Sequence, residues 1–399
     1  MNLAATLRRQ LTFWKALFYF IMAGGLAALY VRVVYGLGAA TNQTDAFPWG
    51  LWKGFNVLAG IALGAGGFTL AATVHIFNVE KYKPVLRPAI LTAFLGYLVM
   101  IIGLTIDIGQ PLRIWHPIFM WNPHSVLFEV CWCVMLYLTV LMLELAPAVC
   151  ERLGWRASLR VLRTISVPVV LFGVVLSTLH QSSLGTIFLI VPYKLYPLWY
   201  TPLLPVFFFV SAACSGFAVV MFASWHSAKA FHRQLPLPLL ESMGSVLAVL
   251  LTFYLAMRFW DLHQRGMLHL LLVNRTETWL FLLEIGLMLA PAALLFHRRV
   301  RNNPTALYVC SAMVILGMVA NRLNVSLTGI EAASSTHYFP KWSEWMVTFS
   351  LIAGAFALFR LAAKHLPIFP EAQVPSSAIL TESSLPPAPQ AELAFSRRA

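Results

Sequence analysis

The sequence predicts an all-α integral membrane protein of about ten transmembrane helices, on three observations: composition, apolar stretches of bilayer length, and one-sided placement of basic residues. Hydrophobic residues make up 59% of the 399 residues and charged residues 11%, against roughly 25% charged in a soluble domain. Mean hydropathy is +0.75. A soluble chain this apolar could not cover its own surface, so a bilayer must cover it. That excludes a soluble enzyme, a disordered protein and a nucleic-acid binder.

A helix crossing about 30 Å of hydrocarbon needs roughly 20 apolar residues. Ten stretches qualify. The first, 17–37, follows Arg8, Arg9 and Lys15. It is too long for a signal-peptide core and no small-residue cleavage site follows, so it is expected to stay as a membrane helix. The second, 51–77, begins beside Trp49, Lys53 and Asn56 and contains Gly64-Ala-Gly-Gly67, which reads either as a break or as close helix packing. The third, 88–108, ends at Asp107. The fourth, 125–148, opens on His124, Ser125 and Glu129; Ser125 and Glu129 are four apart and share a helix face. The fifth, 161–180, ends at His180.

The segment Gln181–Pro205 is apolar and aromatic but too Pro-broken to span, and reads as a lid lying in the outer interface. The remaining spans are 203–226, 239–260 (closing on Arg258 and Asp261), 278–297 (carrying Glu284), 305–327 (carrying Asn321 and Arg322) and 342–363 (opening on Glu344). Leu143-Glu-Leu-Ala-Pro-Ala148 and Leu287-Met-Leu-Ala-Pro-Ala292 form a weak internal echo between spans 4 and 8. Residues 1–16 read as a cytoplasmic N-terminus, 17–366 as the membrane domain, and 367–399, rich in Pro, Ser and Ala, as a disordered cytoplasmic tail.

The net charge of +13 is a topology signal. Loops after odd-numbered spans hold five basic residues (Arg113, Lys194, Arg265, Arg275, Lys341), whereas even-numbered loops and both termini hold nineteen, among them Lys81, Lys83, Arg87, Arg152, Arg156, Arg298 and Arg299. The positive-inside rule then puts both termini in the cytoplasm, and the bacterial inner membrane is the expected location. Cys131, Cys133, Cys150, Cys214 and Cys310 form no CxxC pair and no iron–sulfur run; they read as small apolar residues.

Ionisable groups inside spans are costly and mark function by default. Arg32, Lys53, Asp107, Glu129, Arg258, Asp261, Glu284, Arg322 and Glu344 all fall in the outer half; only His75 and Glu144 lie toward the cytoplasm. The outer charges make two groups. One joins Trp49, Lys53, Asn56, Asp107, His124, Glu129, His180 and Gln181. A His, a carboxylate and an amide at one depth could bind the two carbonyls of a quinone and move its two protons. Helix caps and interfacial anchors are the plainer alternative. The other group is Arg258, Asp261, Glu284 and Arg322, with Arg258 and Asp261 spaced to pair. It reads as structural glue or as a proton path. Bis-His haem would need paired histidines at one depth. None of the spans carries two, so no haem and no metal site is expected.

The runs Phe47-Pro-Trp-Gly-Leu-Trp52, Leu86-Arg-Pro-Ala-Ile-Leu91, Thr105-Ile-Asp-Ile-Gly109, Asn122-Pro-His-Ser-Val-Leu-Phe-Glu129, Leu145-Ala-Pro-Ala148, Glu151-Arg-Leu-Gly-Trp155, His180-Gln-Ser-Ser-Leu-Gly185 and Tyr338-Phe-Pro-Lys-Trp-Ser-Glu344 resemble the NrfD/polysulfide-reductase membrane-subunit family, in its HybB-like branch from periplasm-facing nickel–iron hydrogenases. Gln110 departs from that branch, where an Arg is expected after the Gly; Arg113 comes three residues later.

The resemblance implies two four-helix bundles (51–180 and 203–327) with flanking helices and no haem or iron–sulfur cluster in the chain. It also implies electron exchange between a periplasmic ferredoxin-like iron–sulfur subunit and menaquinone or ubiquinone. The further partners would be the large and small hydrogenase subunits and membrane lipid, with proton translocation in some relatives. Glu129, His180 and Asp107 are the expected catalytic set, with Lys53, Asn56, His124, Gln181 and Trp49 around the quinone. A sulfur-compound or cytochrome-linked quinone oxidoreductase subunit, a secondary transporter and a passive anchor are the alternatives.

Overall fold

In a bilayer the backbone finds no water, so each span must satisfy its own N–H and C=O groups, which a helix does. The computed structural model describes residues 12–190, 192–334 and 336–369. Arg8, Arg9 and the tail from 370 onward, on which the terminal expectations rested, lie outside them.

Among the described residues, ten helices are long and apolar enough to cross a membrane, and no strand occurs. They are α1 (Phe13–Tyr35), α2 (Trp52–His75), α3 (Glu80–Asp107), α4 (Val126–Leu153), α5 (Arg156–Ile187), α6 (Leu204–Ala230), α7 (Leu237–Gln264), α8 (Thr276–Leu294), α9 (Pro304–Ser334) and α10 (Trp342–His365). The expected all-α multi-pass membrane architecture is what the structure shows.

Helices α2 to α5 pack in succession, and α5 returns to α2; α6 to α9 do the same, and α9 returns to α6. The two sets meet where α6 lies against α2 and α5. Helices α1 and α10 pair with each other and cover α3. The buried core runs through both sets without interruption.

The glycines of α2 set how closely α6 of the other set and α3 of its own set approach it. A Cβ on Gly66 would sit 3.2 Å from the Gly216 carbonyl oxygen, and one on Gly67 2.6 Å from the Ala93 methyl. Gly64-Ala-Gly-Gly67 is therefore a close-packing site, although the helix is also interrupted by a turn at 64–65. Two stretches wind as π-helix, Trp52–Ala59 in α2 and Asn324–Thr328 in α9, a form that often re-aims side chains at functional positions. They touch: a Cβ on Gly54 would lie 2.6 Å from Ser326 Oγ.

Two boundaries differ from expectation. Helix α5 runs to Ile187, so Gln181–Gly185 is helix rather than lid. The Ser182 hydroxyl is absorbed by the helix itself, donating to the Thr178 carbonyl at 3.0 Å. The segment after it keeps Ile190 and Tyr193 exposed but turns much of its remainder inward. Leu195, Leu198, Trp199 and Thr201 are buried, the last three completely. The reason is polar as well as apolar: Trp199 and Thr201 reach inward to buried carboxylates.

At the other end, Pro367–Phe369, expected to begin a disordered tail, are packed. Ile368 is wholly buried against Leu91, Leu95 and Ala148, and Arg87 donates to the Pro367 carbonyl at 2.9 Å.

Gly185 gives the sharpest packing prediction. A Cβ there would stand 2.7 Å from Pro205 Cα and 2.8 Å from the Leu204 carbonyl oxygen, both backbone atoms that cannot rotate away. Gly185→Ala is expected to destabilise the protein by about 1–3 kcal/mol, read as a lower thermal midpoint in detergent. An unchanged midpoint would show that α5 and α6 are less tightly apposed than described.

Candidate functional site

Successive spans alternate direction, so the described residues that connect α1 to α2, α3 to α4, α5 to α6, α7 to α8 and α9 to α10 share one face, the one poor in basic residues. The buried ionisable side chains gather in the half of the protein nearest that face.

Asp107 ends α3 and is 1% exposed. Its Oδ2 lies 2.6 Å from Lys53 Nζ, which arrives from the π-helical start of α2. Gln43 Nε2 donates to Asp107 Oδ1 at 2.7 Å, and Lys53 Nζ donates in turn to Gln43 Oε1 at 3.1 Å. Arg32 of α1 donates to the Ile106 and Ile108 carbonyls on either side. The carboxylate expected to be catalytic is thus held in an ion pair. Gln43, a loop residue with no pattern around it, was not identifiable from sequence. One turn along α2 from Lys53, Asn56 is 1% exposed, and both ends of its amide lack a protein hydrogen-bond partner. It packs beside Gly103 of α3.

His180 on α5 is completely buried. Its Nδ1 faces the Tyr97 hydroxyl of α3 at 3.1 Å, and its Nε2 has no protein partner. The next residue, Gln181, donates to the Ile61 carbonyl at 3.3 Å and leaves Oε1 unpartnered. Tyr137 Oη of α4 and Ser177 Oγ of α5 are likewise buried and unpartnered, and the Tyr97 and Tyr137 rings meet edge to face at 4.7 Å. Buried polar atoms are nearly always satisfied, so this row of unmatched groups inside one helix set is unusual. Sequence reasoning missed Tyr97, Tyr137 and Ser177, although phenols in the middle of apolar runs were the available signal.

Glu129 stands on the first turn of α4 and is exposed. Ser183 Oγ, one turn after His180 on α5, donates to its Oε1 at 2.6 Å. The structure therefore ties Glu129 to α5 one turn from His180, with the carboxylate exposed and the imidazole inside, while Gln181 turns to Ile61 of α2. His124 is exposed on the preceding loop and shares no hydrogen bond with this group among the described residues. Trp49 is half-buried, its ring 4.9 Å from Phe188.

The second group sits among α6 to α9. Glu284 is completely buried and accepts from Asn321 at 2.7 Å, Trp199 at 3.0 Å and Asn324 at 3.0 Å. Arg322 donates to Asn321 Oδ1 at 2.6 Å, Ser211 Oγ at 2.9 Å and the Phe208 carbonyl at 3.0 Å. The expected Arg258–Asp261 pair does not form. Asp261 is taken by Arg265, four residues on, at 2.6 and 3.0 Å, and by Thr201 at 2.7 Å. Helix α7 runs one turn past its apolar stretch and brings Arg265 onto the same face. Arg258 instead lies between the Phe207 and Phe281 rings.

Glu344 has a local role. It accepts from the Asn42 N–H at 3.0 Å, from the Lys341 N–H at 3.2 Å and from the Tyr338 hydroxyl, capping α10 and tying the first loop to it. Burial, then the Glu344 carboxylate, push the Tyr338 hydroxyl well above the usual phenol range.

The chain is thus a polytopic helical membrane protein whose buried ionisable groups gather toward one face, with an exposed carboxylate tied to the helix that carries a buried imidazole. The chain belongs to the family described as polysulphide reductase, NrfD, whose sequence profile matches residues 39–332. It is 36% identical over 362 residues to a protein of Nitratidesulfovibrio vulgaris, covering 88% of this chain and 93% of that one. It is 33% identical over 347 residues to the probable Ni/Fe-hydrogenase 2 b-type cytochrome subunit of Escherichia coli, covering 85% and 88%. It is 30% identical over 390 residues to the menaquinone reductase integral membrane subunit of N. vulgaris, covering 90% and 92%.

Proposed function

We propose that the chain is the quinone-reactive membrane subunit of a respiratory oxidoreductase, and that quinone meets the protein between α4 and α5 near the basic-poor face. The observation that carries this is an accessible Glu129 on α4, tied to α5 through Ser183, one turn along α5 from a buried His180 whose Nε2 meets no protein partner. Reduction of a quinone takes two electrons and two protons. With the Tyr97 hydroxyl donating to Nδ1, the imidazole N–H sits on Nε2 and can donate a hydrogen bond to a quinone carbonyl oxygen; Glu129, exposed near the basic-poor face, can take up protons there and deliver the two in turn. Gln181 Oε1 and the Asn56 amide offer further polar contacts.

Asp107, clamped by Lys53 and Gln43, acts here by fixing the start of α2 and the end of α3 rather than by giving up a proton. The names of the relatives support menaquinone as substrate and a hydrogenase as partner, with ubiquinone as the alternative carrier. We take the basic-poor face as periplasmic, both termini as cytoplasmic, and the electron donor as an external ferredoxin-like iron–sulfur subunit. The carboxylate and arginine network of the second helix set is the candidate for coupling to proton translocation.

The E. coli relative's name also implies haem b. Bis-imidazole ligation needs two facing histidines, and among the described residues His180 is the only buried one, already turned to Tyr97. These residues do not fit that group, and no step is assigned to it.

A photoreactive menaquinone analogue added to membranes is expected to label peptides of α4 and α5 around Glu129 and Ser183, with labelling competed by menaquinone. Competed labelling confined to α7–α9 would place the site elsewhere.

A further inference from the structure

The second helix set carries more positive charge than its acidic groups offset. Five ionised side chains gather where α6 to α9 meet: Arg258, Arg265 and Arg322 against Asp261 and Glu284. Asp261 is spent on Arg265. Glu284 is held by three neutral donors, Asn321, Trp199 and Asn324. Neither Arg258 nor Arg322 has a carboxylate oxygen within 4.0 Å among the described residues. Three cations less two anions leaves one positive charge, wholly buried, since Arg258 and Arg322 are both 0% exposed.

The donors are unmatched as well. Arg258 makes one hydrogen bond, from Nη2 to the Leu198 carbonyl at 3.2 Å, while its Nε and Nη1 meet no protein acceptor. Arg322 Nε and the Tyr254 hydroxyl are in the same condition. Tyr254 lies one turn before Arg258 on α7. Phe207 joins two of the groups, its ring centroid 5.1 Å from the Arg258 guanidinium and 5.9 Å from the Tyr254 ring, and the Arg322 guanidinium, over the Phe208 ring at 3.7 Å, is near enough to Tyr254 and Arg258 to interact with both electrostatically. Ring faces attract a cation but cancel no charge, and a buried charge without a partner is strongly unfavourable. A water molecule could accept the N–H groups yet would leave the excess charge in place. A monovalent anion meets both needs.

We propose that Arg258, Arg322 and Tyr254 hold a small inorganic monoanion of chloride size, with Arg258 Nε and Nη1, Arg322 Nε and the Tyr254 O–H as its donors. The inference is independent of where the quinone binds. The anion completes the charge balance around Glu284 and fixes α7 against α9.

The test uses the full-length protein in detergent, with sodium chloride or bromide compared with sodium gluconate at equal ionic strength. Chloride and bromide should raise the thermal midpoint saturably, as a ligand of the folded state does. Crystals grown in bromide should show an anomalous peak between Arg258 and Arg322. Arg258→Gln should abolish the saturable part. Should that variant fail to accumulate, Tyr254→Phe removes a single donor and should raise the half-saturating chloride several-fold. A wild-type midpoint that follows ionic strength alone, with no bromide peak at the cluster, would overturn the proposal.

Discussion

Glu129→Gln is expected to slow quinone reduction about a hundredfold while leaving the amount of assembled protein unchanged. The two halves of that statement have separate causes. Glu129 is exposed, and the one hydrogen bond it receives, from Ser183 Oγ at 2.6 Å, can be accepted equally by the amide oxygen of Gln. Folding therefore loses almost nothing. An amide cannot deliver a proton, and a positioned acid or base contributes on the order of 10²–10⁴ in rate. The measurement is donor-dependent quinone reduction in isolated membranes, normalised to the amount of complex. Turnover within about twofold of wild type would remove Glu129 from the chemistry and leave it as a helix-start residue.

Glu284→Leu should produce the largest loss of stability of any single change in the chain. The substitution keeps the volume and deletes the acceptor for Trp199, Asn321 and Asn324 at once. Each buried donor left unsatisfied costs about 1–3 kcal/mol, so a loss of about 4 kcal/mol or more is expected. The deletion also removes the negative charge nearest two buried guanidinium groups. Glu284→Gln keeps one acceptor oxygen and should fall between Leu and wild type. Thermal midpoints of the three proteins in detergent give the ranking. Equal midpoints would mean that the hub around Glu284 is not what holds the buried Trp199 segment and α9 in place.

Much of this was legible in the sequence, and what was not has identifiable reasons. Spans such as 203–226 and 342–363 were readable because bilayer thickness fixes their length. The gathering of polar groups near one face was readable because charges in hydrocarbon are rare enough to count. Partner choice was not. Arg258 and Asp261 have spacing suited to a pair, but Arg265 competes from the next turn, and the competition is decided by where α7 ends. Asp107 and Lys53 were grouped correctly by depth, yet their ion pair depends on the π-helical start of α2, which carries no periodic signal. Trp199 lay in a segment whose composition suggests an interfacial lid. Its indole N–H and the buried Glu284 draw that segment inward, a three-dimensional fact absent from composition. His180 was visible as a candidate; its partner Tyr97, 83 residues earlier, was not.

The account rests most heavily on quinone meeting α4 and α5. A structure of the complex containing this chain, determined with a menaquinone headgroup analogue bound, tests that directly. One carbonyl oxygen of the ring should lie within hydrogen-bond distance of His180 Nε2 or the Glu129 carboxylate, with density for the ring lost in a His180→Phe protein. Ring density against Glu284 and Arg322, or density at α4–α5 that persists unchanged in His180→Phe, would contradict the account.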